Sequence, residues 1–314
     1  MVGGESRKRP AHPGVSPAGQ AALAEYATYL AEGEDVRPVT RRNYLSDLRQ
    51  FVAWWEATAA AGQETAPGFS LLAIATPTLT RYREYLQQER GLQPASVNRA
   101  LVSLKRYCAW ATETGRLSRN PATRVKLVEH MVTAPRHLTD SEEEALLAAV
   151  TARGNLRDRT LITVLLHTGL RAQEICRLKR EHITLGKRSG SLWVQGKRNK
   201  YREVPLNATA RQSFEEYLPG LSQDAIYVFA SQKTGGPLTE RALGYLVTKY
   251  AAQAKLPAVS PHDLRHRFGY RMAQTVPLHR LAQIMGHDSL DTTLIYIRGT
   301  RSDLQAEVEK IAWA

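Results

Sequence analysis

Apolar side chains recur at three- or four-residue spacing along most of this chain, and in its second half one stretch switches to a period of two. Leu23, Tyr26, Ala27 and Leu30 predict a helix from about Pro17 to Glu32. A second starts with Thr40 as its N-cap and carries Tyr44, Leu48, Phe51, Val52 and Trp55 on one face. A third opens near Thr78 with Leu79, Tyr82 and Leu86. The fourth follows Pro94; Val97, Leu101, Leu104, Cys108 and Ala111 form one stripe, and Gly115 ends it. Residues 118–137 hold prolines near both ends and no sustained period, which reads as a linker. A new helix begins at Thr139 or Asp140, with Glu142, Glu143 and Glu144 where the helix dipole favours acids. The break comes next: SLWV (191–194) and YREVPL (201–206) alternate as two strands joined by the polar turn QGKRNK. Helices follow after Asn207, from Thr239 to Ala254, from Pro261 to Thr275, from Pro277 to Met285, and from Ser302 onward with Leu304, Val308 and Ile311 on one stripe. The pattern is mainly α with a small β-hairpin, in two domains.

Composition sharpens this picture. The 314 residues carry 43 Lys and Arg against 30 Asp and Glu, a net charge of +13, with 43% hydrophobic residues. There is apolar material for two cores, and the charge suits a polyanion such as nucleic acid. No run of about 18 apolar residues exists, so no membrane span is expected. The start has no apolar signal segment, and cytoplasmic residence is the expectation. Cys108 and Cys176 lack metal-site or disulfide spacing; Cys108 lies in an apolar stripe, so packing is its plain role. The first sixteen residues, with Arg7, Lys8 and Arg9 among Gly and Pro, read as a solvated basic tail. Arg41, Arg42, Asn43, Ser96, Asn98, Arg99 and Lys105 lie on the polar sides of the second and fourth helices. A helix fits the major groove, where Arg and Asn read base edges and Lys and Ser hold phosphates; a merely solvated face is the alternative for each.

Four motifs in the second domain carry candidate chemistry. In HTGLRAQEICRL (167–178), Arg171 follows a glycine corner, where a guanidinium can fork onto two phosphate oxygens. Glu174, three residues on, can hold that arginine or a neighbouring imidazole. GKRNK (196–200) places lysines at the tip of the hairpin. PHDLRHRFG (261–269) puts His262 and Arg265 on one helical face, an imidazole beside a guanidinium as phosphoryl chemistry needs. His262 and His266 also have a zinc-pair spacing, but no Glu or Cys is set beside them as in zinc-binding helices, and phosphoryl chemistry fits the motif better. MGHDSLDTTLIYI (285–297) holds His287 and, nine residues later, Tyr296.

Taken in order, Arg171, Lys197, His262, Arg265, His287 and Tyr296 resemble the tyrosine recombinase (phage integrase) family, of the simple two-domain Xer-like type. The resemblance implies a helical core-binding, SAM-like domain over 17–117, a linker over 118–137 and a mixed, mostly helical catalytic domain over 138–314. It implies site-specific recombination of double-stranded DNA through a 3′-phosphotyrosyl intermediate and a Holliday junction, with no cofactor and no metal. Tyr296 would be the nucleophile, His262 the base and Lys197 the acid. Arg171, Arg265 and His287 would hold the phosphate, with Glu174 supporting them. Arg198 stands where many relatives have glycine; Lys197 is preferred to Lys200 because it directly follows the glycine of the turn. Partners implied are a DNA core site and further copies of the chain, as a dimer on one site and a tetramer in synapsis, joined through the helix over 302–312. An accessory DNA-bending protein or second recombinase stays open, as does the choice among dimer resolution, integration and excision. About sixteen residues before the first helix leave no room for an arm-binding domain. Nucleoid association is expected. The rivals are a type IB topoisomerase-like relaxing enzyme and a catalytically silent DNA-binding protein on the same scaffold.

Overall fold

The chain divides into two units, Met1–Val132 and Thr133–Ala314. The computed structural model describes residues 14–33, 36–60, 68–129, 136–196, 201–287, 289–297 and Glu309. The tail before residue 14, the hairpin tip with Lys197 and Lys200, and all of 302–312 except Glu309 lie outside these residues.

The first unit contains α1 (Pro17–Glu32), α2 (Pro38–Ala60), α3 (Thr76–Glu84, running on through a π-helical segment Tyr85–Glu89) and α4 (Pro94–Glu113). Ser16 caps α1 by accepting from the Gly19 amide at 3.1 Å. Thr40 is not the cap of α2. The helix opens two residues earlier, at Pro38, whose fixed φ suits a first turn. The apolar stripes meet in an aromatic core. Tyr26 lies 5.1 Å from Tyr107, edge-on at 76°, and Phe51 lies 5.0 Å from Tyr82 at 77°. Cys108 is fully buried there, and burial pushes its thiol up to about 12, consistent with packing rather than reactivity. Ala122 and Val125, inside the stretch expected as a linker, are buried in this same core.

In the second unit α5 (Asp140–Arg153) opens with a capping box. Glu142 N donates to Thr139 Oγ1 at 3.2 Å, and Thr139 N donates to Glu142 Oε2 at 3.0 Å. α6 (Leu156–Thr168) is buried nearly all round, through Leu161, Ile162, Val164, Leu165 and Leu166. After α7 (Ala172–Cys176) an antiparallel sheet of order β1-β2-β3 forms from Ile183–Leu185, Gly190–Gln195 and Tyr201–Pro205. Its first strand is a correction to the hairpin expected from sequence: three residues are too few to display an alternating pattern. Leu192 and its partner Val204 face the core, while Trp193 and Tyr201 face out. α8 (Ala208–Tyr217), α9 (Glu240–Gln253), α10 (Pro261–Ala273), α11 (Leu278–Met285) and α12 (Asp291–Leu294) complete the unit. α6 packs against α5, α8 and α10. Glu143 of α5, read from sequence as a dipole-favoured acid, instead turns inward. It accepts from Arg267 Nε at 2.5 Å and Arg271 Nη1 at 2.9 Å, fastening α10 to α5. Among the described residues no helix is long and apolar enough to cross a membrane.

Candidate active site

Chain reversals deliver the site's arginines. α6 ends at Gly169, which takes a left-handed φ of 61°; a Cβ there would stand 2.3 Å from Phe268 Cδ1, so glycine is needed twice over. Arg171 follows at the N-cap of α7. Glu174 caps that helix by accepting from Arg171 N at 2.7 Å, and its other oxygen takes Arg171 Nη1 at 3.0 Å. One carboxylate therefore fixes both the backbone and the guanidinium of Arg171. A second arginine reaches the same carboxylate from β3: Arg202 Nη1 donates to Oε1 at 2.6 Å and Nη2 to Oε2 at 2.9 Å. Burial pushes the Glu174 carboxyl upward, but the Arg202 bonds and charge, followed by those of Arg171, hold it below its usual value.

The C-terminal end of α11 supplies the other half of the frame. Its last carbonyls have no intrahelical donors and mark the negative end of the helix dipole. Ile284 O accepts from Arg202 Nε at 3.1 Å, Met285 O from Arg265 Nη2 at 2.8 Å, and Gly286 O from Arg171 Nη2. Three consecutive carbonyls thus seat three arginines drawn from three different segments. Arg265, on α10 and 5% exposed, also donates to Gly169 O.

Arg265 Nη2 lies 2.9 Å from His287 Nε2, and His287 Nδ1 lies 2.7 Å from Thr293 Oγ1. A guanidinium can only donate, so Nε2 accepts, and the ring proton is assigned to Nδ1, facing Thr293. Burial, then the cations Arg265, Arg171 and Arg202, pull the His287 pKa down to about 4, so the ring is neutral near pH 7. Tyr296 lies beside it, 5% exposed, with ring centroids 6.1 Å apart and planes 15° from parallel. Gly269 makes room: a Cβ there would meet Tyr296 Cε1 and Cζ at 2.6 Å. Burial raises the Tyr296 phenol above its ordinary value against the opposing pull of Arg265 and Arg171. Its hydroxyl lies 3.1 Å from His266 Nδ1. The His266 ring is held below its ordinary pKa, first by burial, and stays a neutral potential acceptor.

Arg171, Glu174, Arg265, His287 and Tyr296, all singled out from sequence, therefore converge. His262 is exposed one turn from His266, with ring centroids 6.4 Å apart, and it is His266 that meets the phenol. Lys197 lies outside the described residues. Among the candidate DNA-reading residues, Asn98 grips the Val128 backbone at 2.9 and 2.7 Å, Lys105 donates to Ala122 O at 2.9 Å, and Arg99 pairs with buried Asp47 at 2.9 Å. These three have structural duties. Arg42, Asn43 and Ser96 are exposed, and Arg41 is half-buried. Sequence reasoning missed Arg202, His266 as the phenol's neighbour, and Thr293. Arg202 did leave a signal: it shares a strand face with Val204, and a charge on the core side of a strand requires a partner.

Residues 136–302 match the phage integrase family, and residues 23–115 match the phage integrase N-terminal SAM-like domain. The tyrosine recombinase XerC of Xanthomonas axonopodis pv. citri (strain 306) is 31% identical over 87% of this chain and 90% of that protein. Tyrosine recombinase XerD of Pseudomonas aeruginosa (strain PAO1) is 30% identical over 85% of this chain and 88% of its own length. In fold, the chain resembles the XerH site-specific recombinase bound to palindromic difH substrate, with a TM-score of 0.71, 21% identity and 94% of each chain covered. With a family match over more than half of the chain and relatives of this similarity, the chain belongs to the phage integrase family and is a tyrosine-type site-specific recombinase.

Proposed function

We propose that this recombinase cuts and rejoins double-stranded DNA at a short core site with Tyr296 as the nucleophile. The observation that carries the reading is the convergence of Tyr296, His287 and Arg265 beside the Glu174-held Arg171. A phosphodiester is anionic and resists attack, so charge must be offset before an oxygen nucleophile can approach. Arg171 and Arg265 are suited to the non-bridging oxygens, where the pentavalent transition state gathers charge. A bond forms between Tyr296 Oη and phosphorus as the bond from phosphorus to the 5′ oxygen breaks. The phenol proton goes to a base and the leaving oxygen takes one from an acid, giving a 3′-phosphotyrosyl ester and a free 5′-hydroxyl. Attack by a 5′-hydroxyl of the partner duplex reverses the step. The diester's energy is conserved in the ester, so no nucleotide is consumed, and strands exchange through a Holliday junction.

His262 as base and Lys197 as acid come from the family resemblance. His266 Nδ1, 3.1 Å from the phenolic oxygen, supports a second reading in which that ring accepts the proton. Because Arg265 occupies His287 Nε2, donation from His287 to a phosphate oxygen requires the ring to exchange tautomers or gain a proton when DNA enters. Dimers on a site and a tetramer in synapsis fit the reading, and the stretch 302–312 is the proposed docking element. Removing residues 302–314 is then expected to impair synapsis and spare binding to one site. The family match and relatives named as recombinases leave the relaxing-enzyme and silent-scaffold readings without support. Residence at the nucleoid follows from the proposed substrate. The test is a nicked suicide duplex: wild type should form a denaturant-resistant protein–DNA adduct, and Tyr296→Phe should form none. An equal adduct yield from Tyr296→Phe would refute the assignment.

A further inference from the structure

Arg202 is not accounted for by the chemistry above, yet every nitrogen of its guanidinium is engaged. Its guanidinium spends Nη1 and Nη2 on the two oxygens of Glu174, at 2.6 and 2.9 Å, and Nε on Ile284 O at 3.1 Å. The surrounding backbone is shaped to it: a Cβ on Gly286 would stand 2.8 Å from Arg202 Nε and Cζ. Its side chain is 15% exposed, against 36% for Arg171, so Arg202 is the inner partner of Glu174 and Arg171 the outer one. Only one side-chain bond, at 3.0 Å, joins Arg171 to that carboxylate.

The charges explain why two arginines share one acid. Glu174 alone with Arg171 would neutralise it and draw the guanidinium inward. With Arg202 forked across both carboxylate oxygens, Glu174 is already compensated, and Arg171 is oriented without being cancelled. Arg171, Arg202 and Arg265 against Glu174 leave two positive charges in excess beside a neutral His287. Lysine could supply the charge but not the fork. Arg202 is the second residue of β3, the returning strand of the hairpin.

We propose that Arg202 is a positioning residue that neutralises Glu174 so that the Arg171 cation stays available to the scissile phosphate, and that it anchors the outgoing strand of the hairpin to the same carboxylate. The inference rests on the function proposed above.

The test is a double-mutant cycle on the full chain, reading the single-turnover rate of adduct formation on a suicide duplex, with duplex affinity and thermal midpoint measured alongside. Arg202→Met should slow cleavage by about 10-fold or more while duplex affinity stays within about 3-fold. Arg202→Lys should recover only part of the rate. On the Glu174→Gln background, which holds no carboxylate to neutralise, Arg202→Met should cost less than about 3-fold, and the double variant should outpace Arg202→Met alone. A purely structural tie also couples these two contacting residues, but it predicts a double variant no faster than Arg202→Met alone. That outcome, additive losses, or an Arg202→Met rate within about 2-fold of wild type overturns the proposal. If Arg202→Met does not fold, Glu174→Gln with and without Arg202→Met still decides, because both charges are then absent together. A wild-type chain that forms no adduct through Tyr296 would instead refute the function on which the inference rests.

Discussion

Replacing Glu143 by alanine tests how α10, which carries His262, Arg265 and His266, is held in place. The Glu143 and Arg267 side chains are each 8% exposed, with Oε2 and Nε 2.5 Å apart. Removing the carboxylate strands a buried guanidinium, a change that typically costs about 3–5 kcal/mol. Two other contacts bear on the magnitude. Asp140 also bonds Arg267, but it is 88% exposed, and so open a pair returns little. Arg271, half exposed, rehydrates at little cost when its partner goes. A net loss of about 3–4 kcal/mol follows, equivalent to roughly 6–16 °C in the midpoint of a unit this size. Urea melts should show it as a lower midpoint at unchanged slope, and hydrogen exchange should place the loss in α5 and α10. Glu143→Leu combined with Arg267→Met removes both charges and should recover most of the stability. A loss below about 1 kcal/mol for Glu143→Ala, or no recovery in the paired variant, would refute the reasoning.

Further outcomes follow from the site. His287 titrates near 6.5 when unfolded and at about 4 when folded, so the unfolded chain binds the extra proton between those values. Acid should therefore withdraw stability as pH falls from about 6.5 to 4, on the order of 2 kcal/mol after solvent screening; His266 adds in the same direction, and His287→Asn should flatten the profile. Gly269→Val should drive a side chain into the Tyr296 ring, and loss of near-ultraviolet tyrosine signal together with adduct yield measures the displacement. Thr293→Val leaves His287 Nδ1 without its partner and should lower the cleavage rate several-fold with duplex affinity unchanged, and Thr293→Ser should restore it.

Much of this architecture is legible in the order of residues because the carriers of the site are long, periodic or marked by punctuation. The α4 stripe from Val97 to Ala111 and the glycine corners at Gly169 and Gly286 locate helices and their ends without knowledge of tertiary contacts. Arg171, Arg265, His287 and Tyr296 stand out because their order and spacing resemble those of the tyrosine recombinase family. What stayed hidden depends on chain segments far apart in sequence. Glu174 meets Arg202 across 28 residues, and Glu143 meets Arg267 across 124. Nothing local to Glu143 distinguishes it from Glu142, which serves the cap and pairs with Arg136. His266 and His262 are one turn apart on α10, so the pattern marks both, while packing against Tyr296 selects His266. Asn98 and Lys105 face outward by helical period, but the chain after α4 returns over them and takes up their polar atoms. β1 is too short to carry a period at all.

The most direct measurement is the chemical identity of the covalent junction. After trapping on a nicked duplex, protease and nuclease digestion followed by tandem mass spectrometry should find a nucleotide joined through its 3′-phosphate to the phenolic oxygen of Tyr296, with a free 5′-hydroxyl on the released strand. A junction at any other residue, or one made through a 5′-phosphate, would contradict the account.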